Sequence, residues 1–364
     1  MHKIYFMPGL NDRIVAFTTL GELLKSLNNQ DFINRIANES LKQKMLKLLR
    51  LIDTAQQYNG WFSPEFVKNA LVSLGESLEK EKLERWIERY KEGFEHFKSS
   101  ITVAVVMAGN VPAVGFHDFL SVLISGHRIL AKLSSDDDKL MPAIADILVE
   151  IEPGFKDKIE FTGDQLKNFD AVIATGSNNT SRYFDYYFGK YPNIIRKNRN
   201  GVAVLTGSES KEELEALADD LFLYYGLGCR NVARLFVPSN YDFNPMLDVF
   251  ANRKEIAENN KYFNNYEYNK AIYLINSVHH FDTGNLLITE NSSYASPVSV
   301  LYYSFYQDEN SLKNELMLNS NLIQCTVSKA GFLSNTIPFG KSQSPELWDY
   351  ADGVDTLEFL LDIE

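Results

Sequence analysis

Apolar residues recur three and four positions apart through the first hundred residues, then give way to short unbroken apolar runs separated by polar turns. The first pattern predicts helices. "SLKQKMLKLLRLIDTAQQY" reads as one amphipathic helix, and "GWFSPEFVKNALVSLGESL" as another, with Ser63 as N-cap and Pro64 in its first turn. "LEKEKLERWIERYKEGFEHF" follows as a charged helix with acid-to-base pairs four apart. From Ile101 the runs change character. "ITVAVVMAG" suits a strand buried on both faces of a parallel sheet, and "NVPAVGFHDFLSVLISG" predicts a turn and helix with Pro112 near the first turn. "HRILAKLS", "KIEFTG", "FDAVIATG", "GVAVLTG" and "VARLFVP" predict further strands. The helices between them begin at "DDDKLMPAIADILVEI", "SNNTSRYFDYYFGK" and "SKEELEALADDLFLYYG". Such alternation predicts an α/β fold with a doubly wound parallel sheet. Downstream come a helical pair rich in Asn and Tyr, strands at "NLLITE" and "SPVSVLYYSFY", the helix "DENSLKNELMLNS" and the strand "LIQCTVSK".

Length and composition narrow the class. At 364 residues the chain suits two domains better than one core. A net charge of -12 argues against a nucleic-acid or anionic-membrane surface, and no apolar run reaches the length of a membrane span. The start lacks a secretory pattern, and two cysteines make no disulfide framework, so a cytoplasmic location is expected. No Cys/His spacing suggests a metal site.

Cys229, in "YYGLGCRNVARLFVP", is the sharpest chemical candidate, because a thiolate is intrinsically nucleophilic. Buried, inert cysteine is the commoner fate, and from the residues alone both readings stand. Cys325 alternates within a strand and is expected in the core. Asn110, at the end of "MAGN", serves a turn or donates to an oxyanion. "ATGSNNTS" offers backbone amides to a phosphate but holds only Gly176, not a full glycine-rich fingerprint. Lys132 ends a strand within reach of a ribose or phosphate, or is simply a surface lysine. His117, His127 and the pair His279–His280 are expected in polar or capping roles.

Taken in order, "AGNVP", "LAKLSSDDD", "IATGSNNT", "GLGCRNVARLFV", "SPVSVLYY" and "PFGKSQSPELWDYADGVDTLEFL" resemble the aldehyde dehydrogenase superfamily. They are most similar to its acyl-CoA reductase branch, which includes the fatty acid reductase subunit of bacterial luminescence. The resemblance runs from about Ile101 to the C-terminus and matches the first hundred residues loosely, chiefly through "NGWFSPE". It implies an aldehyde-dehydrogenase-like fold. Residues 1–205 would form a helical region and dinucleotide-binding domain, and 206–330 a catalytic domain. Residues 331–364 would be a tail returning to the first domain or a partner subunit.

It also implies roles. Cys229 matches the nucleophile, with Arg234, Phe236 and Val237 in the family's following strand. Asn110 matches the oxyanion-binding asparagine, and Lys132 the lysine on the adenosine ribose. Thr175, Gly176 and Ser177 match the turn over the cofactor pyrophosphate, and Pro297 the proline of a later acidic segment. The family's water-activating glutamate has no counterpart in "NIIRKNRNGVAVL", which holds no acid, and Ser293 stands near the place of its ribose-contacting glutamate. The first departure disfavours hydrolysis to a free acid and favours reduction of an acyl thioester to aldehyde. The implied cofactor is NADPH, with NADH as the alternative. Lys132, Ser134 and Ser135 are placed for a 2′-phosphate, and Asp136 to Asp138 oppose it unless they turn away. The implied partner is acyl-CoA or an acyl-carrier thioester, and a homo-oligomer is the usual assembly. An aldehyde dehydrogenase, an acyl-phosphate reductase or a non-catalytic nucleotide-binding subunit are the alternatives.

Overall fold

The structure, a computed structural model, describes residues 7–97, 99–176 and 178–363. The chain divides into two compact units, Met1–Lys197 with Glu346–Glu364, and Asn198–Pro345.

The first unit is built on five parallel strands: β1 (Thr102–Val106), β2 (Arg128–Lys132), β3 (Ile159–Thr162), β4 (Ala171–Thr175) and β5 (Asn193–Arg196). Their order is β3-β2-β1-β4-β5. The continuous apolar runs follow from burial on both faces. Val103 and Val105 of β1, Ile129 and Ala131 of β2, and Ala171 and Ile173 of β4 point into one core, with Phe17, Leu20, Leu24 and Trp86 from the N-terminal helices. Ala104, Leu130, Val172 and Ala174 point into the opposite core, where Phe169, Phe184 and Phe188 meet them. The helices Leu10–Lys25, Glu39–Asp53, Pro64–Ser77 and Lys80–Glu88 supply the first cover. Ser63 caps its helix as expected, accepting from the Phe66 N–H at 3.2 Å.

The segment after Pro345 belongs to this unit. Trp86 Nε1 donates to the Tyr350 hydroxyl at 2.6 Å, and Tyr90 donates to Asp355 at 2.5 Å. Two imidazoles, His117 half-buried and His127 buried, reach the same segment: His117 Nε2 donates to the Leu347 carbonyl at 2.9 Å and His127 Nε2 to that of Leu360 at 2.7 Å. Burial holds both imidazoles below their ordinary value. The Ile101 N–H donates to His127 Nδ1, so that ring sits neutral.

The second unit carries β6 (Asn200–Val204), β7 (Val232–Pro238), β8 (Phe281–Asp282), β9 (Leu287–Glu290), β10 (Val300–Tyr306) and β11 (Ile323–Ser328). Their order is β11-β6-β7-β10-β9-β8, parallel except for β8 against β9. No helix among the described residues is long and apolar enough to cross a membrane.

Three local readings need correction. The helix expected from Pro112 begins at Phe116, because Ala113 adopts a left-handed φ of 53° and its N–H is held by Asp137. The charged helix ending near Phe97 breaks into Lys80–Glu88 and Lys91–Glu95, with Tyr90 drawn to Asp355 at the break. Strand β5 has no counterpart in the sequence pattern. It is only four residues long, and Arg196 at its end is buried.

Candidate functional site

The strand order of the first unit reverses direction between β1 and β4, and the carboxyl ends at such a switch point are where open parallel sheets place a binding crevice. Val106 of β1 lies in register with Lys132 of β2 and Ala174 of β4. The residues just past those strands therefore share one edge. Asn110 follows β1 and is exposed, Lys132 ends β2, and Thr175 and Gly176 close β4. Ser177 lies outside the described residues.

Each is set by its surroundings. A Cβ on Gly109 would come 2.6 Å from Ser134 Oγ, so only glycine lets the β1 turn lie on the β2 turn. The Ser134 hydroxyl accepts from the Asp136 N–H at 3.2 Å, which ties it into its own turn. Asp137 turns inward and accepts from the N–H groups of Ala113 at 2.9 Å and Leu140 at 3.3 Å, the latter at the start of helix Leu140–Ile151. Burial pushes its carboxyl up to about 6. Asp136 and Asp138 stay exposed. Lys132 Nζ donates to the Gly163 and Asp164 carbonyls at 3.0 and 2.7 Å, two of an ammonium's three donors. A Cβ on Gly176 would sit 2.8 Å from the Phe184 ring, so the glycine lets helix Asn178–Phe188 start close against β4.

Beneath this edge lies a salt bridge absent from the sequence reading. Arg196 donates to both carboxylate oxygens of Asp118, at 2.6 and 2.8 Å, and to the Thr356 hydroxyl at 2.9 Å. Both charged side chains are buried, and the pair joins β5, helix Phe116–Ser125 and the C-terminal helix Thr356–Asp362. The partners stand 78 positions apart, which no local pattern signals.

This donor set suits a dinucleotide. The start of an eleven-residue helix and the Thr175–Gly176 turn fit phosphate, and the lysine ammonium fits a ribose or phosphate oxygen.

In the second unit Cys229 is exposed, while Cys325 is buried in β11 with its thiol toward the Arg230 carbonyl at 3.6 Å. Helix Lys211–Phe222 ends, and the chain leaves it through Tyr224, Tyr225 and Gly226, all left-handed with φ of 54°, 58° and 74°. Such geometry in two tyrosines costs roughly 1–3 kcal/mol each and persists only where the surroundings enforce it. Cys229 then occupies a turn closed by the Asn231 N–H to the Gly228 carbonyl at 3.0 Å, three residues before β7.

Pro297 precedes β10 and, with Tyr225, Gly226 and Tyr262, lines a cavity of about 40 Å³ behind the turn, room for little more than a water. Arg234, buried in β7, donates to the Ser292 carbonyl at 2.9 Å and to Glu315 at 2.9 Å, under the rings of Phe236 and Tyr294. It thereby ties down the loop that carries Ser293.

Asn110, Lys132, Ser134, Thr175 and Gly176 thus gather on one sheet edge, while Cys229 belongs to the other unit. The sequence reading missed Arg196, Asp220 and Asn231. Asp220 carried a usable signal: it falls among Leu214, Leu217, Ala218 and Leu221 on the buried face of its helix.

The family model described as acyl-CoA reductase (LuxC) matches residues 12–249. No curated protein matches the chain in sequence. Among solved structures, an oxidoreductase from Marinobacter aquaeolei aligns with a TM-score of 0.63 at 9% identity, covering 92% of this chain and 76% of that one. Aldehyde dehydrogenase 21 from Physcomitrella patens, in complex with succinate, gives 0.63 at 11% identity over 97% of this chain and 87% of its own. The P. syringae indole-3-acetaldehyde dehydrogenase AldA, a cysteine-to-alanine mutant in complex with NAD+, gives 0.57 at 12% identity over 93% and 76%. At these identities the likeness is one of fold, and the fold is aldehyde-dehydrogenase-like.

Proposed function

Because the chain belongs to the acyl-CoA reductase (LuxC) family, we propose that it reduces an acyl-CoA, or another acyl thioester, to the aldehyde through an acyl thioester on Cys229. The observation that carries this reading is the exposed thiol on its closed turn, in a chain whose other cysteine is buried.

The Cys229 thiolate attacks the thioester carbonyl, forming a new carbon–sulfur bond and releasing CoA as thiolate. One thiolate displaces another, so the step is near balance and needs no strong base. The backbone N–H of Cys229 donates to the oxygen that gains charge, and the family resemblance gives the amide of Asn110 the same role. Lys132, Thr175 and Gly176 would hold a nicotinamide dinucleotide, which when bound in reduced form supplies hydride. Departure of the aldehyde returns Cys229 to the thiolate. The NAD+ on the P. syringae relative supports a nicotinamide cofactor. Lys132 and the exposed Ser135 at the end of β2 suit the 2′-phosphate of NADPH with Asp137 turned inward, whereas the exposed Asp136 and Asp138 suit NADH. Residues 193–205 hold no carboxylate, which supports reduction over hydrolysis.

The test mixes protein with radiolabelled acyl-CoA and no cofactor. Label is expected on wild type and absent from Cys229→Ala; equal label on both overturns the assignment. Oxidation of aldehyde to free acid at a rate indifferent to CoA would instead identify an aldehyde dehydrogenase.

A further inference from the structure

We propose that Asn231 is the positioning residue of the Cys229 nucleophile, an inference that rests on the reading above. The last carbonyls of a helix have no partner within it. Here the Asn231 side chain supplies one, its two Nδ2 hydrogens shared among the carbonyls of Asp220 at 3.0 Å, Leu221 at 3.3 Å and Leu223 at 2.9 Å. The same side chain faces the turn with its other end, where Oδ1 accepts from the Gly228 N–H at 2.8 Å. Its backbone is used as fully: the N–H closes the turn onto Gly228, and the carbonyl accepts from the Gly201 N–H of β6 at 3.0 Å. One buried residue therefore fastens the turn to the helix end and to the neighbouring strand.

A second fastening meets it from the other side. Arg230 Nε donates to the Ser342 carbonyl at 2.6 Å. Asp220 accepts from the N–H groups of Gly340 at 2.7 Å and Ser342 at 2.9 Å. Turn, helix end and segment 340–342 thus close into a ring of hydrogen bonds that runs through the residues on both sides of Cys229. The ring demands an amide at position 231. A carboxylate would set negative charge against three carbonyls, and an apolar side chain would leave them unsatisfied. What the ring fixes is where the sulfur and the Cys229 N–H stand, and an ångström of misplacement at a reacting atom costs about 10²-fold in rate.

The experiment compares Asn231→Ala and Asn231→Ser with wild type in three measurements: the rate of acyl labelling from acyl-CoA without cofactor, the rate of Cys229 alkylation by iodoacetamide, and the thermal melt. Labelling is expected to fall about 10²-fold in the alanine variant. The serine variant, which still accepts from Gly228, should recover part of the loss. Alkylation should stay close to wild type in both, because a small reagent needs the thiolate but no fixed approach. Undiminished labelling in a folded variant overturns the proposal, and so does alkylation falling by the same factor as labelling. Unfolding of both variants at the assay temperature overturns it too, in favour of a purely structural amide. Wild type that takes no label overturns the functional reading and this inference together, an outcome visible without any variant.

Discussion

In the first unit the residues we assign to the dinucleotide follow the carboxyl ends of β1, β2 and β4, whereas in the second Cys229 precedes the amino end of β7. Topology alone makes the first edge the place where open parallel sheets of this order bind ligands. Crossovers that leave β1 and β4 in opposite directions part there, and the crevice needs only small residues at its lip, such as Gly109 and Gly176. At the amino edge of the second sheet the crossover argument does not apply, and the small cavity behind the turn is lined by Tyr225, Gly226, Tyr262 and Pro297. The Cys229 turn of the second unit is set instead by the three left-handed residues that lead into it and by hydrogen bonds to a helix end. One edge is therefore set by strand order and the other by particular side chains, so single substitutions should act very differently on the two.

The largest expected effect lies with the sulfur. Cys229→Ala should abolish the acyl adduct in intact-mass spectra, while Cys325→Ala leaves it; an adduct on the Cys229→Ala protein would place the chemistry elsewhere. Next comes the support of the first edge. Arg196→Ala leaves the buried Asp118 carboxyl without its guanidinium partner, for an expected loss of about 3–5 kcal/mol in denaturant unfolding. All three tryptophans, Trp61, Trp86 and Trp348, belong to the first unit, so their fluorescence reads this loss there. An unchanged midpoint would show the pair to be replaceable.

Asn110→Ala should lower the acylation rate about 10²–10³-fold, or about 3–4 kcal/mol, with the fold intact. Labelling as fast as in wild type would remove Asn110 from the oxyanion site.

The smallest effect is one of pH, and its sign separates two kinds of buried group. His117 and His127 are held below 6.5, so the unfolded chain takes up their protons first and stability falls as pH drops below that value. Asp137, raised from 3.8 to about 6, works the other way, since the folded protein takes its proton first and gains stability as pH falls through that window. Asp137→Asn removes this opposing contribution. Its melting temperature should therefore drop more steeply from pH 7 to pH 5 than that of wild type; a shallower drop would contradict the assignment.

The legible part of this molecule is what repeats locally. The run in β1 announced a strand buried on both faces, the run in β4 a further strand, and Ser63–Pro64 a helix start. The family resemblance carried by the short motifs from "AGNVP" to "PFGKS" led to an aldehyde-dehydrogenase-like fold, which the solved structures share. What escaped depends on partners far apart in the chain. Ala113 turns left-handed because Asp137, 24 positions on, takes its N–H. Tyr90 breaks a helix for a carboxylate 265 positions away. The setting of Cys229 hangs on Asp220 and segment 340–342, and a window of twenty residues contains only half of that ring.

The first unit is discontinuous, and that governs the order of assembly during synthesis. Its core includes Leu347, Leu357 and Leu360, and the partners of His117, His127 and Arg196 come from the same stretch. The unit that leaves the ribosome first is thus the one completed last, while residues 198–345, an unbroken segment, can close in the interval. A nascent chain halted before Leu347 would hold an open seam along the helix Phe116–Ser125, which packs against Thr356–Asp362 in the finished fold.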